Sequence, residues 1–252
     1  MQNKINHDRN LFYRTWKECE EIFQTAEGIV ICVGSVEQHG LHLPMGTDTI
    51  LTEAIMQRVC EKTGLYYYPC TTFGQVWSAK DYAGTVSIPQ PVLEVYLDHC
   101  VRSVRRFTDR HIFLYSFHKG NAGALKNVAR SLYDTEGWEN IYVLDNPSIE
   151  AEAKTLMTTP LWNGVWHAGE LETALMLFVA EELVHMDRAT CEYPETPWDY
   201  RLRSVPWKTF LRSGAFGDTT AATKELGEDL FRLWTDGLCR TVREVSASKR
   251  NA

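Results

Sequence analysis

The chain has 252 residues, 44% of them hydrophobic and 23% charged, with a formal net charge of -7. That composition is ordinary for a folded globular protein, and the negative charge argues against a general affinity for nucleic acid or anionic membranes. No apolar run reaches the roughly 18 residues that would cross a bilayer. The N-terminal MQNKINHDRNLFYRTW has no hydrophobic stretch of signal-peptide type, so a cytoplasmic location is expected. Seven cysteines are scattered without a CxxC pair, which indicates neither a zinc knuckle nor a disulfide framework; buried free thiols are expected instead. A single domain covering residues 1–252 fits the length.

Strand-like and helix-like segments alternate along most of the chain. Leu11 to Glu27 has amphipathic helical spacing, and Ile29 to Val33 is a β-branched run that reads as a buried parallel strand. Thr49 to Lys62 returns to helical spacing and stops at Gly64, a plausible C-terminal cap. Tyr66 to Thr72 is strand-like, and Pro91 to Thr108 is a helix with proline near its start. His111 to Phe117 is a second buried strand, Asn121 to Tyr133 a helix, and Ile141 to Leu144 another strand. A helical pattern runs from Glu170 to about His185, and the Pro-, Trp- and Arg-rich stretch from Cys191 to Phe216 reads as irregular. A terminal helix from Asp218 to about Val245 is expected, capped by Asp218 or Thr219. This β-α alternation predicts an α/β fold: a three-layer α/β/α sandwich around a mostly parallel sheet.

In such sheets ligands bind beyond the carboxyl ends of the strands, so the residues that follow each strand matter most. After the first strand comes GSVEQHGLHLPMGTDT, with Glu37, His39, His42 and Asp48 close together. Two residues apart in an extended segment, Glu37 and His39 share a face, and a turn through Pro44 and Gly46 returns Asp48 toward them. Carboxylate and imidazole together suit a borderline divalent ion, and a carboxylate bridges two ions about 3.5–4 Å apart. A polar loop that caps helices and ties turns has the same residues, and spacing alone leaves both readings open. His118 follows the strand at His111, at the same sheet edge. His167, Glu170 and Glu172 in WHAGELETALML form a third cluster, although acidic residues are also common in a solvated first helical turn.

These segments resemble the creatininase (creatinine amidohydrolase) family. VGSVEQHGLHLPMGTDT is similar to its metal-binding signature, FGQVWSAKDYAGTVSIP to its G…PGT loop, SFHKGN to its N-G-H-x-x-N segment, and WHAGELETALML to its H-A-x-x-x-E-T segment. The resemblance runs in the family's order from Gly28 to Phe178. It implies that Glu37, Asp48 and His118 hold one metal ion and that His39, Asp48 and Glu172 hold a second, with Asp48 bridging. It also implies two zinc or manganese ions per chain and a homo-oligomer, commonly a hexamer; iron is a further candidate because it accepts the same mixed carboxylate and imidazole ligands. Three departures stand out. Gly120 occupies the place of a metal-binding glutamate; Ser116, Phe117 and Lys119 replace the usual Asn, Gly and Gly or Tyr; and Ala79 and Ala83 replace a frequent His and the Pro of the loop.

The implied chemistry is hydrolysis by metal-activated water, with His167 as the residue acting on substrate and Glu170 as the second candidate for proton transfer. Trp77, Lys80, Tyr82, Lys119 and Trp166 are candidates to contact the substrate, and Trp162 competes with Trp166 for the part of covering indole. Activities in the family include ring-opening of creatinine, deformylation of pyrimidine precursors, peptide trimming in redox-cofactor maturation and cleavage of an inositol-derived cyclic ketone. A small cyclic amide, formamide or cyclic ketone is therefore the expected substrate class. A non-catalytic metal-binding module is the alternative reading. A nucleotide or sugar-phosphate binder is disfavoured, because no GxGxxG or GxxxxGK[ST] loop follows the first strand.

Overall fold

Every residue of the strand Gly28–Val33 (β1) is buried, because helices cover the sheet on both sides and its side chains alternate between two cores. Val30 and Cys32 enter one core, while Ile29, Ile31 and Val33 enter the other. Each such side chain moved out of water stabilises the fold by about 1.5–3 kcal/mol, so both faces are committed. The structure is a computed structural model and describes residues 8–145, 147–200 and 202–248. The expected domain ends, residues 1–7 and 249–252, lie outside the described residues.

Four strands form the main sheet: β1, Tyr66–Thr71 (β2), His111–Tyr115 (β3) and Ile141–Val143 (β4). Their order is β2-β1-β3-β4, and every pairing is parallel. Helices Trp16–Thr25 (α1), Gln90–Arg105 (α3) and Ala122–Glu136 (α4) pack on the face of Ile29, Ile31 and Leu114. Helices Thr47–Thr63 (α2), Pro147–Leu156 (α5), Glu170–Val179 (α6) and Lys224–Ser248 (α7) pack on the opposite face, against Val30, Phe113 and Tyr115. The expected three-layer α/β/α arrangement is present. Gly64 does close α2 in the left-handed conformation, with φ of 77°.

Several boundaries differ from expectation, each for a local reason. The first helix starts at Trp16, because Thr15 and Glu18 form a reciprocal capping box and leave Leu11–Tyr13 as a separate 3-10 turn. Helix α6 ends at Val179 instead of continuing to His185: Ala180 leaves helical geometry, and the His185 N–H turns back to donate to the His42 carbonyl. The last helix begins at Lys224, not at Asp218. Asp218 instead accepts from Thr220 in a turn, and the cap falls to Thr223, whose hydroxyl accepts from the Leu226 N–H. Residues Cys191–Glu192 (β5) and Gly217–Asp218 (β6) pair antiparallel at the ends of the stretch expected to be irregular. Helix α5 lacked any sequence expectation.

Candidate metal centre

The site is assembled beyond the carboxyl ends of β1 and β3. The segment after β1 folds onto the first turn of α2: the Ser35 N–H donates to Thr49 Oγ1 at 3.2 Å, and the Thr49 hydroxyl donates back to the Ser35 carbonyl at 2.9 Å. That exchange sets Ser35 beside Asp48, and the Ser35 hydroxyl donates to Asp48 Oδ2. The Glu37 N–H donates to the Met45 carbonyl at 3.0 Å, closing the loop that carries His39. Asn121 at the start of α4 binds three loops together: its Oδ1 accepts from the Gln75 N–H, and its Nδ2 donates to the Gly34 carbonyl and Ser116 Oγ.

Backbone carbonyls behind two imidazoles settle which ring nitrogen of each faces the centre and is bare in the neutral form. A carbonyl accepts only, so the ring nitrogen facing it carries the proton. His39 Nδ1 donates to the Glu37 carbonyl at 3.0 Å, which leaves Nε2 facing Asp48 Oδ1 at 3.5 Å and Glu172 Oε2 at 3.6 Å. His118 Nε2 donates to the Gln75 carbonyl at 2.8 Å, which leaves Nδ1 at 2.9 Å from Asp48 Oδ2 and 3.0 Å from Glu37 Oε2. The two oxygens of Asp48 thus face different imidazoles, as a bridging carboxylate requires.

These residues fit a pair of divalent ions. Ligand atoms about 2.0–2.2 Å from one ion stand about 3–3.6 Å apart, which is the spacing seen here. Glu37 Oε2 and His39 Nε2 are buried, yet neither has a hydrogen bond of proper geometry. Buried polar atoms without partners are costly unless something else satisfies them. Glu37, Asp48 and His118 form one set of converging ligand atoms, and His39, Asp48 and Glu172 form another. A third set, Glu37 with His39 and His167, is also close enough.

These groups hold one another's charges. Burial pulls the His39 imidazole down, but Asp48 and Glu172 outweigh it and raise its pKa to about 10. His118 is likewise held well above the ordinary imidazole range, burial being overcome by Glu37 and Asp48. Asp48 is held well below the usual carboxylate range, because His39 and His118 overcome the penalty of burial. Glu172 rises to about 7 through burial, with the Asp48 charge adding to it. His167 falls to about 4, because burial disfavours its charged form.

The remaining candidates divide. A cavity of about 380 Å³ opens onto the centre; Trp77, Trp166, Trp207, Lys119 and His167 are among the residues that line it. Lys80 lies outside that lining and stacks over the Trp77 ring, 5.0 Å from its centroid. Tyr82 donates its hydroxyl to the Leu211 carbonyl at 2.6 Å and is also outside the lining. Trp162 stacks on Phe216 at 4.2 Å inside a small separate core, so Trp166 is the indole that reaches the cavity. Glu170 does not face solvent, being only 1% exposed. Its carboxylate accepts from the N–H and hydroxyl of both Thr158 and Thr159. Burial raises its pKa, and those bonds outweigh it, so the pKa is lowered.

Three neighbours of the centre lacked a sequence expectation. Gln38 donates toward His167 Nε2 at 2.8 Å, Gln75 supplies the carbonyl behind His118, and Trp207 sets its ring 4.7 Å from that of His167. Gln38 stood inside the recognised motif, between Glu37 and His39. Trp207 had only its place in a Trp-rich stretch to mark it.

Residues 13–242 match the family described as Creatininase: Creatinine amidohydrolase. The mycofactocin precursor peptide peptidase of Mycolicibacterium smegmatis is 30% identical over 223 residues, covering 85% of this chain and 84% of that protein. The creatinine amidohydrolase of Pseudomonas putida is 26% identical over 246 residues, covering 91% and 94%. Among solved structures, a creatininase variant of Zn–Zn type superposes with a TM-score of 0.78 at 24% identity, covering 93% of this chain and 97% of that one. A manganese creatininase superposes with a TM-score of 0.77 at 23% identity, covering 94% and 98%. With the family match running from residue 13 to residue 242, the chain belongs to the creatininase family of metal-dependent hydrolases.

Proposed function

We propose that this chain is a dinuclear hydrolase that cleaves a C–N bond in a small cyclic amide or formamide, a cyclic ketone being open to the same chemistry. The observation that carries the reading is the placement of the two Asp48 oxygens, one toward His118 and one toward His39, at the floor of an indole-walled cavity. Glu37, Asp48 and His118 would hold one ion, and His39, Asp48 and Glu172 the other. Zinc or manganese fits the mixed oxygen and nitrogen set, and iron fits it as well. Bound there, the ions supply a water of lowered pKa and a Lewis acid for the scissile carbonyl.

The chain's own groups do the rest. Trp77, Trp166 and Trp207 offer flat apolar walls that exclude water around a planar amide. His167 stands at the cavity wall, with Nδ1 3.9 Å from Glu37 Oε1, where it reaches a substrate oxygen. Two further parts of the proposal are a homo-oligomer of hexamer type and a cytoplasmic location. Val92, Val95 and Tyr96 expose one apolar face of α3 that suits contact between copies.

One observation favours a second reading, cleavage of an amide in a short peptide. The mycobacterial relative at 30% identity is a precursor-peptide peptidase, and Lys119, Glu150 and Lys154 give the cavity a charged rim suited to a peptide's polar groups. The test is metal content and turnover after loading with zinc or manganese, using creatinine, N-substituted formamides and short peptides as substrates. About two ions per chain, reduced in Asp48→Asn together with loss of hydrolysis, is the expected result. A wild-type chain that takes up neither metal overturns the proposal.

A further inference from the structure

Gln38 lies between two metal-ligand candidates and is 5% exposed. Its Oε1 accepts from the Gly40 N–H at 3.0 Å, and its Nε2 donates to the Gly214 carbonyl at 2.9 Å. An N–H only donates and a backbone carbonyl only accepts, so the two ends of the amide are not interchangeable. Both partners are held in place by chain geometry. Gly40 and Gly214 have φ of 69° and 84°, and a Cβ at Gly214 would stand 2.0 Å from Gln38 Oε1. Only glycine permits that approach.

The second hydrogen of the same amide nitrogen faces His167 Nε2 at 2.8 Å. An amide nitrogen has no lone pair to offer, so His167 Nε2 must accept. The ring proton is then on Nδ1, the nitrogen directed toward Glu37 Oε1 at 3.9 Å, too far for a hydrogen bond. No other hydrogen bond engages Nδ1 among the described residues.

We propose that Gln38 is a positioning residue that locks His167 as the Nδ1–H tautomer, making it a hydrogen-bond donor into the cavity and excluding it from the metal-ligand set. The consequence for the centre is specific. Glu37, His39 and His167 are close enough to be read as a third ligand set, but a protonated Nδ1 has no lone pair for an ion. The same N–H is aimed where a substrate oxygen gains charge, and a fixed donor of that kind costs no reorganisation during reaction. This use of the donor rests on the hydrolase reading above, whereas the tautomer and the ligand exclusion do not.

The test is nitrogen NMR of the zinc-loaded protein with ring-labelled histidine, the His167 signals being assigned by their loss in His167→Gln. The expected wild-type pattern is a proton-bearing Nδ1 and a bare Nε2. In Gln38→Glu, a carboxylate of the same shape offers only acceptors, and the proton moves to Nε2. Bound zinc stays within about one-fifth of the wild-type content, since no ligand has been removed. A proton on His167 Nε2 in the wild type overturns the proposal, as does a metal-shifted Nδ1. If Gln38→Glu fails to fold, the wild-type spectrum still decides. A protein that shows the Nδ1–H tautomer but hydrolyses no amide keeps this inference and loses only the proposed function.

Discussion

His118 is aimed at the candidate metal centre by the Gln75 carbonyl, which accepts its Nε2–H at 2.8 Å and so turns Nδ1 toward Glu37 and Asp48. A carbonyl behind a ligating imidazole fixes its tautomer and raises its basicity, and loss of such a partner typically weakens metal binding 10–100-fold.

The contact depends on Gly120. A Cβ there would stand 2.3 Å from His118 Nε2 and 2.4 Å from the Gln75 carbonyl oxygen. Gly120→Ala is therefore expected to push the ring off its carbonyl and weaken binding of one of the two proposed ions by about 10–100-fold. Competitive metal titration should show a single weakened step with the other unchanged. Two unaltered steps would show that the contact does not matter.

Metal uptake should release protons. At pH 7 His39, with a pKa of about 10, and His118, raised well above the ordinary value, both carry the proton that an ion must displace, and Glu172 at about 7 is half protonated. The expected release is about two to three protons per chain, measured by calorimetry in buffers of different ionisation enthalpy. Affinity should accordingly fall as pH falls. Release of fewer than one proton would show that the imidazoles are already bare.

Glu170→Gln should act on stability and not on metal binding. The variant sets an amide nitrogen against donors from Thr158 and Thr159, at an expected cost of about 2–3 kcal/mol in urea unfolding. Zinc content should stay at the wild-type value. Unchanged stability with abolished turnover would make Glu170 a catalytic group instead.

His42 should make the protein acid-sensitive. Its Nε2 pairs with the Thr173 hydroxyl at 2.8 Å, and burial, helped by the nearby His39, lowers its pKa from 6.5 to about 4. The unfolded chain takes a proton near 6.5, whereas the folded chain resists it until about 4. This contribution is therefore full above pH 6.5, falls as pH drops between those values, and is gone below about 4. The shift corresponds to about 3 kcal/mol. Urea unfolding at pH 7 and pH 5 should show a smaller difference for His42→Gln than for the wild type.

Local chemistry made much of this legible beforehand. Glu37, His39 and Asp48 sit within one loop, and the runs flanking it have unmistakable strand and helix periods. Expectation failed where the deciding partner is distant in sequence. The extended pattern past Val179 continues to read as helix, yet a hydrogen bond from His185 to His42 turns the chain away. Glu170 in a first helical turn resembles any solvated acid until Thr158 and Thr159 are brought to it. Lys80 and Tyr82 lie in the right loop, but their side chains turn to Trp77 and Leu211 instead of the cavity.

The sequence by itself determined the alternation of strands and helices, the parallel sheet and the inventory of candidate metal-binding groups, because hydrophobic period and motif spacing are properties of neighbouring residues. Only the tertiary structure decided which nitrogen of each imidazole faces the centre. That choice is made by the Glu37 and Gln75 carbonyls and the Gln38 amide. Hydrogen-bond direction depends on which donor meets which acceptor, and for His118 and His167 that meeting exists only once segments far apart in the chain have packed together.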